Sequence, residues 1–462
     1  MPTPSRLGAI ETQAQYKQYP PQFDGGLPLL GHMPSFWRAP IDLLQRGYQR
    51  CGEVFSLRVL TSWITVLIGP EANEAFFRAP DDQLSQKEAY GFTVPIFGKG
   101  IAYDAPSEIM REQLGFLYPA LHEDRLRRYA RLMVEEAESY VESWGDTGEI
   151  DLLTVTNELT TFIASHCLLG AEFRYHLSTE FAQLYHAMER GLTLLAFFFP
   201  NLPLPMFRRR DQARMRMVEL ISAIVEARRA KGVQDEDFLQ TLMEAHYADG
   251  RALTDDEITG LLLTILFAGQ HTSAVLAAWT GILLLHHPHY LPPILDEQHE
   301  ILGHGQEVTL ERLNEMTCLD RAVTEAERMH PPLVMLMRKV LRDFEYGGYV
   351  VPADHILMVS PAVSHRLPEV FADPDRYDPD RYGPGRDEGR RHPYHLIGFG
   401  GGRHRCIGFN FAYMQVKALW SVLLRHFEFE LASPTYVPNY SSVVVGPQQP
   451  CRVRYRRLMA PS

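Results

Sequence analysis

The chain has 462 residues, 45% of them hydrophobic, enough for one large globular unit or two ordinary domains. Its 45 basic residues are outnumbered by 57 acidic ones, a formal net charge of -12, and no basic block or stripe is present to neutralise phosphates; nucleic acid is excluded as an expected partner. Cys51, Cys167, Cys318, Cys406 and Cys451 are odd in number and lack CxxC spacing, which argues against a disulfide framework and against a zinc site.

Residues 1–26 read as a polar lead-in, with neither a signal-like segment nor an apolar run of ~18 residues. A cytoplasmic protein is expected, peripheral contact with a membrane being left open. Residues 27–457 read as one domain and 458–462 as a tail. Segments 54–60 and 63–68 have strand character. From 125 to 286 apolar residues recur at three- and four-residue spacing, so this stretch is predicted almost wholly helical apart from a break at the prolines of 200–205. Short strand-like pieces return at 334–341, 349–352 and 355–359. No linker divides the two patterns, which predicts a mainly α fold with a smaller β-rich part, packed as a single large domain.

One helix stands out. Thr254-Asp-Asp-Glu257 has the capping-box pattern and no proline follows until Pro288, allowing a helix of about 32 residues and ~48 Å. Its middle, Phe267-Ala-Gly-Gln-His-Thr-Ser273, is a polar interruption. A glycine such as Gly269 costs about 1 kcal/mol in a helix interior, and a buried His271 needs a partner. From these residues alone, a satisfied core histidine beside a close helix crossing is an alternative to a functional site.

The most specific stretch is Phe399-Gly-Gly-Gly-Arg-His-Arg-Cys-Ile-Gly408, followed by a helix-forming run over 409–424. The helix dipole and Arg403, His404 and Arg405 are expected to favour the Cys406 thiolate, the form that ligates metal. Glycines 400–402 and Gly408 are expected to remove bulk where a flat macrocycle approaches the backbone. A glycine-rich turn beside an inert cysteine is the alternative.

This stretch resembles the haem-binding loop of the cytochrome P-450 superfamily, F-x-x-G-x-[RH]-x-C-x-G, with Phe399, Gly402, His404, Cys406 and Gly408 in its defined positions. The resemblance implies a cytochrome P-450 fold whose long central helix lies over haem b, the iron held by the Cys406 thiolate. Upstream, Glu325-Ala-Glu-Arg328 and Asp378-Pro-Asp-Arg-Tyr382 imply a buried triad of Glu325, Arg328 and Arg381 that props the loop. In isolation such an i,i+3 pair is usually a surface ion pair. Thiolate ligation favours cleavage of dioxygen, and Thr272 stands where the superfamily places a threonine that helps deliver protons, preceded here by His271 instead of an acid.

Ala268-Gly-Gln-His-Thr-Ser273 and Tyr90-Gly-Phe-Thr-Val-Pro-Ile-Phe-Gly-Lys-Gly-Ile-Ala-Tyr-Asp104 resemble two separate signatures of the sterol 14α-demethylase family, and the likeness runs over 21–447. It implies that Tyr90, Tyr103, Arg338 and His404 hold the haem propionates, all four being donors suited to carboxylates. Leu114 stands where many members carry a propionate-binding lysine, with Arg111 the candidate replacement. Phe92, Phe97, Leu192, Phe267, Ala268, Leu333, Met335, Met337 and Val443 would line a pocket for a flat sterol such as lanosterol or a 4-methylated relative. Glu189 would support His271 as its acid partner and, with Thr272, complete the catalytic set.

The implied reaction is three successive oxygenations of the C14 methyl group with release of formate. Electrons would come from NAD(P)H through a separate ferredoxin or reductase, since no nucleotide-binding glycine fingerprint or ferredoxin-like cysteine cluster is present. O2 is the co-substrate, azole inhibitors would bind the haem iron, and a monomer is expected. Two alternatives stand beside this one: another monooxygenase of the superfamily acting on a fatty acid or terpenoid, which would not need His271, and a non-catalytic haem sensor, which would tolerate loss of Thr272.

Overall fold

The computed structural model describes residues 18–175, 178–232, 237–303 and 306–458. Of the expected lead-in and tail, 1–17 and 459–462 lie outside the described residues. β1 (Val54–Val59) and β2 (Ser62–Leu67) form an antiparallel hairpin in which Phe55 faces Val66. β2 then pairs in parallel with β8 (Ile356–Val359), Val66 opposite Met358. A parallel pair needs a crossover connection, and here the crossover is the whole helical body. β5 (Leu336–Val340) pairs antiparallel with β8 and with the short β3 (Leu84–Ser85), completing the order β1-β2-β8-β5-β3. The sheet closes only when the chain has returned from the helices, which ties the β-rich part and the helical part into one unit.

A second sheet, β4 (Thr147–Asp151), β10 (Arg452–Arg457) and β9 (Phe427–Leu431), is antiparallel throughout. β4 interrupts the stretch predicted as helical. Its Thr-Gly-Glu-Ile-Asp sequence carries almost no apolar signal, and it is held from outside by cross-strand pairs such as Arg452–Glu149 at 3.2 Å. β6 (Phe344–Tyr346) and β7 (Tyr349–Val351) are joined by Gly347 and Gly348 at φ +58° and +80°, a turn only glycine-like backbones enter freely.

The longer helices are α1 (Pro70–Arg78), α2 (Glu123–Glu142), α3 (Leu152–Ala164), α4 (Ser178–Glu189), α5 (Pro205–Lys231), α6 (Asp255–His286), α7 (Thr317–Met329) and α8 (Phe409–His426). The expected capping box starts α6: Glu257 N–H donates to Thr254 Oγ1 at 3.2 Å, and Thr254 N–H donates to Glu257 Oε2 at 2.8 Å. The helix is apolar all round and therefore buried. Among the described residues it alone is long and apolar enough to cross a membrane, with mean hydropathy 1.6, yet 72% of that window is inside the protein.

Close approach to α6 occurs at glycines other than Gly269. A Cβ on Gly260 would sit 2.1 Å from Phe97 O, and one on Gly281 2.0 Å from the Trp420 ring of α8, whose Nε1 donates to Ala277 O at 2.8 Å. A Cβ on Gly269 would meet only Phe411, at 3.7 Å. The centre of α6 therefore has space beside it rather than a tight crossing.

Candidate active site

The cysteine loop is shaped by its glycines. Gly400 has φ +71° and a Cβ there would lie 2.5 Å from His404 O; Gly402 has φ +54°. A Cβ on Gly401 would meet Tyr394 at 2.7 Å and Phe77 at 3.0 Å, whereas Gly408 is near only the Cys406 sulfur, at 3.8 Å. Glycines 400–402 are thus required by the turn and its packing against protein, a reason that stands beside the expectation that they make way for a macrocycle. The turn lets Cys406 N–H donate to Phe399 O at 2.8 Å, just ahead of α8.

The expectation that all nearby basic groups favour the Cys406 thiolate is corrected. Burial pushes the thiol up, against the opposing pull of the Gly408 N–H and Arg405, and Glu327 adds to the rise. Arg403 and His404 are turned towards Asp81, at 3.9 and 3.1 Å.

Under the loop, Glu325, Arg328 and Arg381 meet with their side chains fully buried. Arg328 donates to both Glu325 oxygens at 2.8 Å, and Arg381 Nε donates to Glu325 Oε1 at 2.9 Å. Tyr382 Oη adds a third donor at 3.0 Å. Arg381 also grips Glu388 at 2.7 Å, and Arg386 bridges Glu388 and Asp378. Glu388 and Arg386 were not read from the sequence, where nothing marks them among the many surface charges.

A group with two carboxylates and a thiolate-bound iron is tested by the donors around Cys406. Tyr90 and Tyr103 stack at 4.8 Å, and the Tyr103 phenol is pushed up by burial and then by Tyr90 and Cys406. Arg338, on β5, donates to Phe76 O, Ala79 O and Asp81, while its buried Nε has no partner. Burial brings its pKa down to about 10. His404 Nε2 lies 3.1 Å from Asp81 Oδ1 but off the line of a hydrogen bond. Asp81, held low first by His404, is a shared anchor for Arg338, His404 and Arg403 that the sequence reading missed.

The Cys406 side chain is exposed, although protein surrounds it closely enough to raise its pKa. Along α6, Ala268 is exposed while Leu266, Phe267 and Gln270 beside it are buried. These features fit a haem: Cys406 would bind the iron, and the unpartnered Arg338 nitrogen, His404 and the two phenols would serve its carboxylates. Arg111 is exposed and Leu114 packs on the main core.

Thr272 Oγ1 donates to Ala268 O at 2.6 Å. Its neighbour His271 places Nδ1 2.9 Å from Glu189 Oε1, at ion-pair distance but off the line of a hydrogen bond, and the other Glu189 oxygen is hydrogen-bonded to His186 Nδ1 at 3.0 Å. Burial raises the Glu189 carboxyl, but the histidine contacts outweigh it and hold the group at about 2. His186 was missed in the sequence; its i,i+3 spacing from Glu189 was the available signal. Gln270 is occupied by Tyr185 Oη, which donates to it at 2.9 Å.

Of the expected lining, Phe97 meets Phe267 edge-on at 5.9 Å, and Phe92 lies 5.9 Å from Tyr90 and 5.4 Å from Phe197. An isolated bridge between Thr193 and Ser442 brings Leu192 and Val443 to neighbouring positions. Met337 N–H donates to Tyr90 Oη at 3.3 Å. Met335 and Met337 pack on the apolar cluster of the first sheet, and Leu333 is half-buried between α7 and β5.

The family model for cytochrome P-450 matches residues 20–453. The sterol 14-demethylase of Arabidopsis thaliana is 42% identical, over 96% of this chain and 93% of its own length, and the obtusifoliol 14-alpha demethylase of Triticum aestivum is 42% identical over 95% and 98%. Among solved structures, retinoic acid bound cyanobacterial CYP120A1 superposes with a TM-score of 0.86 at 25% identity, covering 96% of this chain and all of that one. Fold, buried triad and cysteine loop together define a haem-thiolate oxidoreductase. The chain belongs to the cytochrome P-450 superfamily and, within it, to the sterol 14α-demethylase family. As such it carries haem b and receives electrons from a separate redox partner.

Proposed function

We propose that the enzyme removes the 14α-methyl group of a sterol by three successive oxygenations, the carbon leaving as formate. The bound haem supplies activation of O2 and its insertion into a C–H bond. The observation that carries the reading is the contact between His271 and Glu189 at 2.9 Å, one residue from Thr272. Superfamily chemistry needs protons at this point of the central helix, and a histidine can carry them only with an acid behind it. Glu189 orients the imidazole and keeps a negative charge behind it, His271 hands protons on, and Thr272 positions them with its hydroxyl.

Tyr90, Tyr103, Arg338 and His404 fix the haem carboxylates, with Phe399, Gly402 and Gly408 shaping the loop around Cys406. Phe92, Phe97, Leu192, Phe267, Ala268, Leu333, Met335, Met337 and Val443 offer apolar contacts and exclude water from a flat substrate; Ala268, with no bulk beyond Cβ, leaves room against the central helix. A ferredoxin or reductase delivers the electrons, azoles bind at the iron, and the enzyme acts as a monomer in or beside the cytoplasm.

Spectral titration of the holoenzyme with a panel of 14α-methyl sterols and long-chain fatty acids, followed by product analysis with a reconstituted electron donor, tests the proposal. A sterol-induced spin shift and a 14-demethylated product with formate are expected. Binding and hydroxylation of fatty acids alone would overturn it.

A further inference from the structure

Glu327 lies between Glu325 and Arg328 in sequence but takes no part in their ion pair. Its side chain is 3% exposed and accepts a hydrogen bond from Tyr413 Oη of α8 at 2.6 Å. Among the described residues no cation lies within ion-pair distance of it. Room for it is made in the cysteine loop itself: a Cβ on Gly398 would sit 2.2 Å from Glu327 Oε1. Gly398 precedes Phe399, whose carbonyl accepts the Cys406 N–H at 2.8 Å. The same corner is walled by Phe399, Phe409 and Tyr413, with Arg405 over the Phe409 ring at 4.9 Å.

A carboxyl taken out of water with one hydroxyl for company costs folding free energy that an apolar side chain of similar size would not. We propose that Glu327 is a tuning residue on the sulfur side of the site, which lowers the reduction potential of the haem by placing a negative charge close behind Cys406. The inference rests on the haem-thiolate reading. Charge near the iron acts through a weakly polarisable interior, where it is poorly screened, and a negative one favours the oxidised state.

The groups that face Glu327 are Tyr413 of α8, which reaches Thr324 as well, and Gly398 and Arg405 of the loop segment. Burial lifts the carboxyl to about 7, against the opposing pull of Tyr413 and Arg405, so its charge is present on the alkaline side of neutrality and absent on the acid side.

The test is an equilibrium redox titration of the holoenzyme between about pH 6 and 8.5, for wild type, Glu327→Gln, Glu327→Leu and Tyr413→Phe, each with its carbon-monoxide difference spectrum. Wild type is expected to show a potential that rises as pH falls through neutrality. Both Glu327 variants should keep the thiolate band yet sit at the higher, acid-side potential at every pH, without the slope. Tyr413→Phe keeps the carboxyl and loses the bond that favours its ionised form, so its inflection should move to higher pH, and it decides the matter if neither Glu327 variant takes up haem. A wild-type potential and slope in Glu327→Gln, or an unmoved inflection in Tyr413→Phe, overturns the proposal. Loss of the thiolate band in Cys406→Ser is a separate result, so failure here is distinguishable from failure of the haem-thiolate reading.

Discussion

Glu189 Oε1 lies 2.9 Å from His271 Nδ1, and the carboxylate is shared with His186 on its other side. Side-chain exposure falls from 60% at His186 to 25% at Glu189 and 22% at His271, a graded path from solvent towards Thr272. In Glu189→Gln the neutral amide cannot hold an imidazolium, and in His271→Ala the carrier is gone. Both are expected to keep the thiolate spectrum and sterol binding, to turn over at least about tenfold more slowly, and to divert reducing equivalents to peroxide. Turnover and peroxide yield measured per electron consumed decide it; an unimpaired Glu189→Gln enzyme rules the relay out.

The same carboxylate makes a prediction about acid. Its folded pKa of about 2 lies below the ordinary 4.5, so its contribution to stability is complete above about pH 4.5 and is lost as pH falls towards 2. With each pKa unit worth about 1.4 kcal/mol, roughly 3 kcal/mol is at stake. Denaturant unfolding at pH 7 and pH 4 should show a smaller loss on acidification for Glu189→Gln than for wild type, by about 1 kcal/mol, the part of the total that falls above pH 4. Equal losses would place the acid sensitivity elsewhere.

Glu325, Arg328 and Arg381 satisfy one another where no water reaches, so removing one leaves the buried charges around it under-paired. Arg381→Ala is expected to cost about 3–5 kcal/mol and to abolish haem uptake, because Glu325 loses its one charged donor from the segment before the cysteine loop and keeps there only the Tyr382 hydroxyl and the Asp378 N–H. The measurement is chemical unfolding together with the ratio of haem to protein absorbance. A variant with wild-type stability and haem content would make the triad dispensable.

What the sequence disclosed follows from how local each signal is. The cap at Thr254, the unbroken apolar run of α6 and the turn glycines of the cysteine loop are written in adjacent residues, and the structure realises them. Glu325, Arg328 and Arg381 were readable only through their likeness to a known pattern, since fifty-odd residues separate the second from the third. Asp81, Glu327 and Glu388 escaped because a surface acid and a buried one look alike in sequence, and His186 because one histidine beside an acid on a helix looks like any surface pair. Their roles come from partners brought by other segments: His404 and Arg338 for Asp81, Gly398 and Tyr413 for Glu327. β4 escaped for the same reason, its pairing partner lying at the far end of the chain.

Cys406 alone occupies the glycine-rich loop, whereas Cys451 is buried beside β10 and Cys318 lies at the start of α7. Cys406→Ser is therefore expected to abolish the red-shifted carbon-monoxide band of the reduced protein, and Cys318→Ser and Cys451→Ser to leave it. Difference spectroscopy on the three variants is sufficient, and a surviving band in Cys406→Ser would remove the central assignment.

Phe92 is 6% exposed and wedged between Tyr90 at 5.9 Å and Phe197 at 5.4 Å, so its ring has little freedom to swing aside. We propose that this ring faces the A-ring end of the sterol, where a fixed aromatic would crowd a second methyl group at C4 while leaving space for one. One methyl group in a tight apolar site is worth about 1–3 kcal/mol, or 10–200-fold in kcat/KM, and the lower end is expected where part of the lining yields. Wild type should therefore favour 4-monomethylated over 4,4-dimethylated substrates by about tenfold. In Phe92→Leu the shorter side chain should shrink that ratio mainly by improving the dimethylated substrate, with the thiolate spectrum intact. Steady-state kcat/KM for both substrates with both enzymes measures it. The same ratio before and after the substitution would mean that Phe92 does not face C4.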